Sequence, residues 1–230
     1  MKITWLGHSG FRIEAGGQVL LVDPWLTGNP MFEGQDRDAA INGATHVLVS
    51  HGHGDHSGDA LTIAKELQIP IVGIYDLMSH WEATEGVATV GFNKGGTVQL
   101  GDVAVTMVNA VHSSSLGTDH GPMYAGCESG YMIAAEGHVI YFSGDTDVMA
   151  DMKVLNDLHK PDIGILCAGG HFTMDQRRAA YAAREFFDFD MVIPCHYKTF
   201  PLLAQDAGEL MAALPGVAVR EPEVMVAIEI

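Results

Sequence analysis

The chain has 230 residues, 47% apolar and 18% charged, a composition that folds by burying a core and excludes a disordered or fibrous protein. Twelve basic residues stand against 29 acidic ones, a net charge of −17, and the only adjacent basic pair is Arg177-Arg178. Since clustered cations drive phosphate binding, this balance argues for a small-molecule substrate and no nucleic acid.

Strand-like runs fill the first quarter: "KITWLG", "GFRIEA" and "QVLLVDP", rich in β-branched and aromatic residues and joined by turns at Gly7-His8-Ser9-Gly10 and Gly16-Gly17, read as a meander. After "HVLVS" a helix is predicted over 57–68, closed by Pro70 and followed by the strand "IPIVGI", with a second helix over 75–83. Residues 97–111 read as two strands around a Gly-Asp turn, and "GYMIAAEGHVIYFSGD" as a hairpin turning at Glu136-Gly137. The last third alternates: helix 147–158, strand "IGILC", helix 174–187, strand "MVIPCH", helix 203–214 and the closing strands "VAVRE" and "VMVAIEI". No linker divides the chain, which reads as one domain over residues 1–230, with two sheets packed together and helices outside. The longest apolar runs are too short to span a bilayer, and "MKITWLGHSGF" reads as a strand and not a signal peptide. A cytoplasmic protein without membrane insertion is expected, with a homo-oligomer open. Cys127, Cys167 and Cys195 are far apart and imply no disulfide framework.

Four apolar runs end in the same two residue types. "VLLV" runs into Asp23 and "HVLVS" into His51, while "VIYFSG" runs into Asp145 and "MVIPC" into His196. Rigid strand ends let side chains converge on a cleft. The second of them opens "HGHGDH", residues 51–56. In extended chain i and i+2 point to one side, so His51 and His53 can grip one metal while Asp55 and His56 turn towards a second. Imidazole nitrogen and carboxylate oxygen suit zinc, iron or manganese.

"HGHGDH" resembles the H-x-H-x-D-H motif of the metallo-β-lactamase superfamily, and "VLLVDPWL", "AVHSSS", "YFSGDTD" and "IPCHY" are similar to its other motifs, in order. The resemblance covers essentially the whole chain and implies an α+β fold, the four-layer αββα sandwich. It implies two divalent ions, zinc first with manganese or iron as alternatives. His51, His53 and His112 would hold one ion, Asp55, His56 and His196 the other, with Asp145 between them and Asp23 orienting ligands from behind. "WLGHSGFRIE", "GGHFTMD" and "HYKTFP" resemble the small prokaryotic metal-dependent hydrolases related to ascorbate-6-phosphate lactonase and N-acylphosphatidylethanolamine phospholipase D. The chain departs from those relatives at His171 and Lys198.

The implied activity is hydrolysis of a small ester, lactone or phosphodiester, with Asp55 orienting the nucleophile and moving its proton. A di-iron redox protein of the same fold is the alternative, although such proteins generally carry Glu where His53 stands; a nuclease-type phosphodiesterase is another. His8 and His171 read equally as catalytic groups entering the cleft or as satisfied structural histidines. His46, His80, His138 and His159 read as surface or packing residues. The loop 113–130, with His120, Tyr124 and Cys127, is long enough to cover the site. Ser113, Ser114, Tyr124 and Lys198 are expected on the substrate pocket.

Overall fold

In the computed structural model, which describes residues 1–230, the opening meander forms from β1 (Lys2–Trp5), β2 (Phe11–Ala15) and β3 (Gln18–Val22), paired antiparallel. In β2, Phe11, Ile13 and Ala15 are buried while Arg12 and Glu14 are half-buried, the period-two pattern of a strand with one face on a core. After α1 (Arg37–Ile41) the pairing turns parallel through β4 (His46–Val49), β5 (Ile71–Ile74) and β6 (Thr89–Phe92). Their connections carry α2 (Gly54–Ser57), α3 (Ala60–Leu67) and α4 (Tyr75–Glu85).

The second half repeats that order. β7 (Thr97–Leu100) and β8 (Val103–Asn109) precede a small separate hairpin, β9 (Ser115–Thr118) and β10 (Gly121–Tyr124). β11 (Ser129–Ala135) and β12 (His138–Phe142) complete the antiparallel part. Then come α5 (Asp151–His159), β13 (Ile163–Cys167), α6 (Gln176–Phe186), β14 (Met191–Cys195), α7 (Gly208–Ala213) and β15 (Ala218–Val219), with β12 to β15 parallel. β16 (Ala227–Glu229) returns to pair with β1. The two seven-stranded sheets therefore run β16-β1-β2-β3-β4-β5-β6 and β15-β14-β13-β12-β11-β8-β7.

The sheets meet face to face. Phe11 packs edge-on against Phe142 with ring centroids 6.2 Å apart, and Phe92 stacks on Tyr131 at 6.3 Å. Fully burying such a side chain contributes about 1.5–3 kcal/mol. Polar bonds fix the register: Tyr131 Oη donates to the Val49 carbonyl at 2.6 Å, and the Ser129 N–H to the Ser50 carbonyl at 3.1 Å. Helices α3 and α4 cover the first sheet and α6 the second, giving the metallo-β-lactamase αββα sandwich. β13 is buried along its whole length and reads as a continuous apolar run, as a parallel strand covered on both faces should. Asp23, His51, Asp145 and His196 all follow the carboxyl ends of strands in the parallel parts of the sheets, where α/β proteins build their sites.

Several boundaries differ from the sequence reading. The helix predicted over 57–68 is two: α2 begins at Gly54, and the chain breaks before α3 because Asp59 is tied elsewhere. Its carboxylate accepts from the N–H groups of Leu26 and Thr27 at 2.6 and 2.8 Å and from the Thr27 hydroxyl at 2.7 Å. The helix predicted over 203–214 starts only at Gly208, since Ala204 donates to Gly169 and the Gln205 amide caps the carbonyls of Phe200 and Leu203. The helix predicted over 147–158 starts at Asp151; Asp147 accepts from its neighbour's N–H at 2.7 Å and holds Arg178. The loop 113–130 contains the hairpin β9–β10.

Candidate metal centre

His51 leaves β4 through Ser50, and the next turn, α2, presents Asp55 and His56. Gly52 lies under the hairpin: a Cβ there would stand 2.7 Å from the Ala125 Cβ, so only glycine fits. Asp145 follows β12, His112 follows β8 and His196 follows β14. His196 has φ 54°, a left-handed conformation costly for a non-glycine residue, held by its N–H donating to the His8 carbonyl at 2.9 Å.

Three ring nitrogens converge on one carboxylate oxygen. Asp145 Oδ2 lies 3.0 Å from His196 Nε2, 3.3 Å from His56 Nε2 and 3.5 Å from His112 Nε2. Nevertheless His56 Nε2, His196 Nε2 and Asp145 Oδ1 are buried and have no hydrogen-bond partner. A buried polar atom left unpaired costs about 1–3 kcal/mol, so this arrangement is unfavourable for the protein alone and fits a bound cation. The ligand atoms of His51, His53 and His112 gather in one group and those of Asp55, His56 and His196, with His8, in another. His51 Nε2 and His53 Nδ1 are 3.0 Å apart.

Behind the ligands one carboxylate holds two imidazoles. Asp23, fully buried, accepts from the Ser50 N–H at 2.7 Å, the Ser50 hydroxyl at 2.5 Å and His56 Nδ1 at 2.7 Å. Ser50 Oγ in turn lies 3.0 Å from His51 Nδ1. With the hydroxyl proton spent on Asp23, Ser50 Oγ accepts from His51 Nδ1–H, which turns the Nε2 atoms of both His51 and His56 to the site.

The electrostatics follow from burial and these neighbours. Burial pulls His51 well below the ordinary imidazole range, reinforced by His56. For His56 burial acts the same way, but Asp145, Asp55 and Asp23 outweigh it and raise it well above that range. Burial alone would raise Asp145 and Asp55; the surrounding histidines hold both below the usual carboxylate range. Burial pushes His8 down to about 4, against its bond to Asp55.

The cavity over these groups has a volume of about 350 Å³, and its walls include His53, Asp55, His112, Asp145 and His196. Ser113 lines it too, its hydroxyl 3.5 Å from His53 Nε2. Five expected pocket or catalytic residues lie elsewhere. His8 is fully buried and holds Asp55 Oδ2 at 3.0 Å while its Nδ1 pairs with the Thr199 hydroxyl at 2.8 Å, so it positions Asp55 from behind and lines no cavity. Ser114 is buried and accepts from the Gly52 N–H at 3.1 Å, a structural bond. Tyr124 is exposed on a different groove beside Asp76 and His80, its hydroxyl 3.2 Å from Cys127 Sγ. Lys198 pairs with Glu221 and lies off the cavity, and His171 is exposed with its ring edge-on to Phe172 at 4.4 Å. The cavity's apolar wall consists instead of Phe172 and Phe200. Both sit inside segments singled out from sequence, "GGHFTMD" and "HYKTFP", but their polar neighbours drew the expectation.

This fold and this donor set define a member of the beta-lactamase superfamily, and the chain belongs to it: the profile described as "Beta-lactamase superfamily domain" matches residues 2–196. Its relatives carry a narrower name. The chain is 73% identical over 230 residues to the UPF0173 metal-dependent hydrolase of Dinoroseobacter shibae, covering 100% of both, and 69% identical over 225 residues to that of Paracoccus denitrificans, covering 98% of each. Among solved structures, Igni18, a metallo hydrolase from Ignicoccus hospitalis, matches at TM-score 0.86 and 31% identity over 100% of this chain and 98% of that one. CmlA, a diiron β-hydroxylase from Streptomyces venezuelae, matches at TM-score 0.74 and 14% identity over 100% of this chain and 54% of its own, a likeness of fold alone. No helix is long and apolar enough to cross a membrane.

Proposed function

We propose that the protein is a binuclear metal-dependent hydrolase of a small ester, lactone or phosphodiester. The observation that carries this reading is the set of buried, unpartnered atoms His56 Nε2, His196 Nε2 and Asp145 Oδ1 beside a cluster of three further imidazoles. His51, His53 and His112 would hold one divalent ion and Asp55, His56 and His196 the other, with Asp145 available to both. Two such ions supply a polarised electrophile and an acidified water. The protein contributes the rest. Asp55, ionised and partly open to the cavity, is held by His8 where it can accept a proton from the attacking water. Neutral His8 donates Nε2–H to Asp55 and accepts from Thr199, a pairing that keeps the carboxylate aimed.

The relatives' name, metal-dependent hydrolase, supports the reading. The test is elemental analysis of zinc-, manganese- or iron-supplemented protein alongside turnover of a panel of lactones, carboxylic esters and phosphodiesters. Two ions per chain and metal-dependent cleavage are expected. One ion or none after loading, or turnover unaffected by a chelator, would overturn it.

A further inference from the structure

The cavity is lined by eight residues: Phe172, Phe200, Ser113 and five of the ligand histidines and aspartates. No Lys or Arg is among them. Lys198, the nearest cation in sequence, is committed to Glu221 and lies over the Tyr197 ring at 5.2 Å. Arg178, which follows the same turn as Phe172, is spent on Asp147 at 2.7 Å. A substrate carrying a phosphate or carboxylate away from its scissile bond would lose water there and find no partner, which is costly for a charge. The chain's net charge of −17 adds a repelling field.

The aromatic walls are positioned, not incidental. Phe200 is stacked on Trp25 with centroids 5.9 Å apart and packs edge-on to His8 at 5.5 Å, so its ring is fixed from behind. Phe172 stands on a tight turn in which its N–H donates to Gly170 at 2.7 Å and Gly170 donates to Met174 at 2.9 Å. Phe172 is 50% exposed, leaving half of a large apolar side chain uncovered on the wall of a polar site, the kind of surface a ligand covers.

Resting on the hydrolase reading above, we propose that the substrate is an uncharged carboxylic ester or lactone whose acyl part is aromatic or bulky and apolar, seated on Phe172 and Phe200. Water adds to the acyl carbon, the bond from that carbon to the alkoxy oxygen breaks, and the alkoxy oxygen leaves with one water proton, giving an acid and an alcohol. Phe172 and Phe200 set specificity by touching the acyl group and take no part in the bond changes.

Three ethyl esters test this in the metal-loaded protein: ethyl 3-phenylpropanoate, ethyl acetate and monoethyl succinate. A well-packed aromatic contact is worth about a factor of ten, so kcat/KM should fall at least about tenfold from the phenyl ester to ethyl acetate and further to the anionic succinate. Phe172→Ala, at an exposed position where folding is not at stake, should raise KM for the phenyl ester about tenfold and so cut its advantage over ethyl acetate; Phe172→Tyr should restore it. Calorimetry gives a readout independent of turnover: uncleavable 4-phenylbutan-2-one should bind more tightly than 4-oxopentanoate, and the difference should shrink in Phe172→Ala, with the part due to charge remaining. Equal or faster turnover of monoethyl succinate, or no gain from the phenyl group, overturns the proposal while leaving the hydrolase reading standing. No turnover of any of the three by protein carrying its metals overturns the proposal, and the hydrolase reading then stands or falls on the wider panel.

Discussion

The candidate ligands on the two sides of the site are supported to different depths. His56, His196 and Asp145 are all but fully buried, His56 is gripped by Asp23, and Asp55 is gripped by His8. On the other side only His51 has a buried anchor, Ser50, whereas His53 and His112 are only partly buried and neither ring is hydrogen-bonded from behind by a buried carboxylate as His56 is. One half is built to hold its geometry before an ion arrives; the other relies more on the ion itself. Preorganised ligands bind more tightly because less ordering entropy is lost on binding. On the binuclear reading proposed above, the ion at His51, His53 and His112 should therefore be the first to leave.

The largest effect that could break this comparison comes from Asp145→Ala, which removes the carboxylate shared by both halves. It should empty both positions and lower kcat/KM at least about a thousandfold, with metal content measured beside turnover. Retention of both ions would show that the two halves do not meet at Asp145. Next, His112→Ala should remove a single ion, taking the zinc content per chain from two to one, whereas the double loss expected of Asp145→Ala should not occur.

Asp23→Asn sharpens the contrast further. It keeps the shape but sets an amide donor against either the Ser50 N–H or His56 Nδ1, so affinity for the deeper ion should fall about 10–100-fold in a competition titration with a chelator. Fold stability should drop as well, since a buried bond would be lost. An unchanged affinity would mean that His56 keeps its orientation without Asp23.

Why some of this was legible in the chain and some was not has a physical basis. The clustering of candidate donors could be read because strand ends concentrate them: "HGHGDH" packs four into six positions, and Asp23, Asp145 and His196 each close an apolar run. The two packed sheets could be read from the strand runs with helices added late in each half, but not the strand order: Asp23 and His51 leave neighbouring strands while β13 separates those preceding Asp145 and His196. What stayed hidden depends on contacts distant in sequence. Asp59 breaks a helix because it reaches Thr27, and His8 is withdrawn from the cavity because Thr199 and Asp55 hold it from opposite ends of the chain. Phe172 and Phe200 look like any core aromatic until the cavity shows them on its wall.

Two smaller effects separate support from site. Ser114→Ala leaves the buried Gly52 N–H without its acceptor and should lower stability by about 1–3 kcal/mol, seen as a shift in urea midpoint, with turnover per bound metal nearly unchanged. Lys198→Met should cost at most about 1 kcal/mol, because its pair with Glu221 is only partly buried, and should leave KM for a neutral ester as it was. A large rise in KM would return Lys198 to the pocket.

A stepwise chelation experiment decides whether the site has two unequal halves. Protein loaded with zinc is titrated with a chelator while bound metal is counted per chain. Two ions leaving in separate steps are expected, the weaker step missing in His112→Ala and the tighter one shifted in Asp23→Asn. A single ion, or two released together with the same affinity and the same response to both variants, would contradict it.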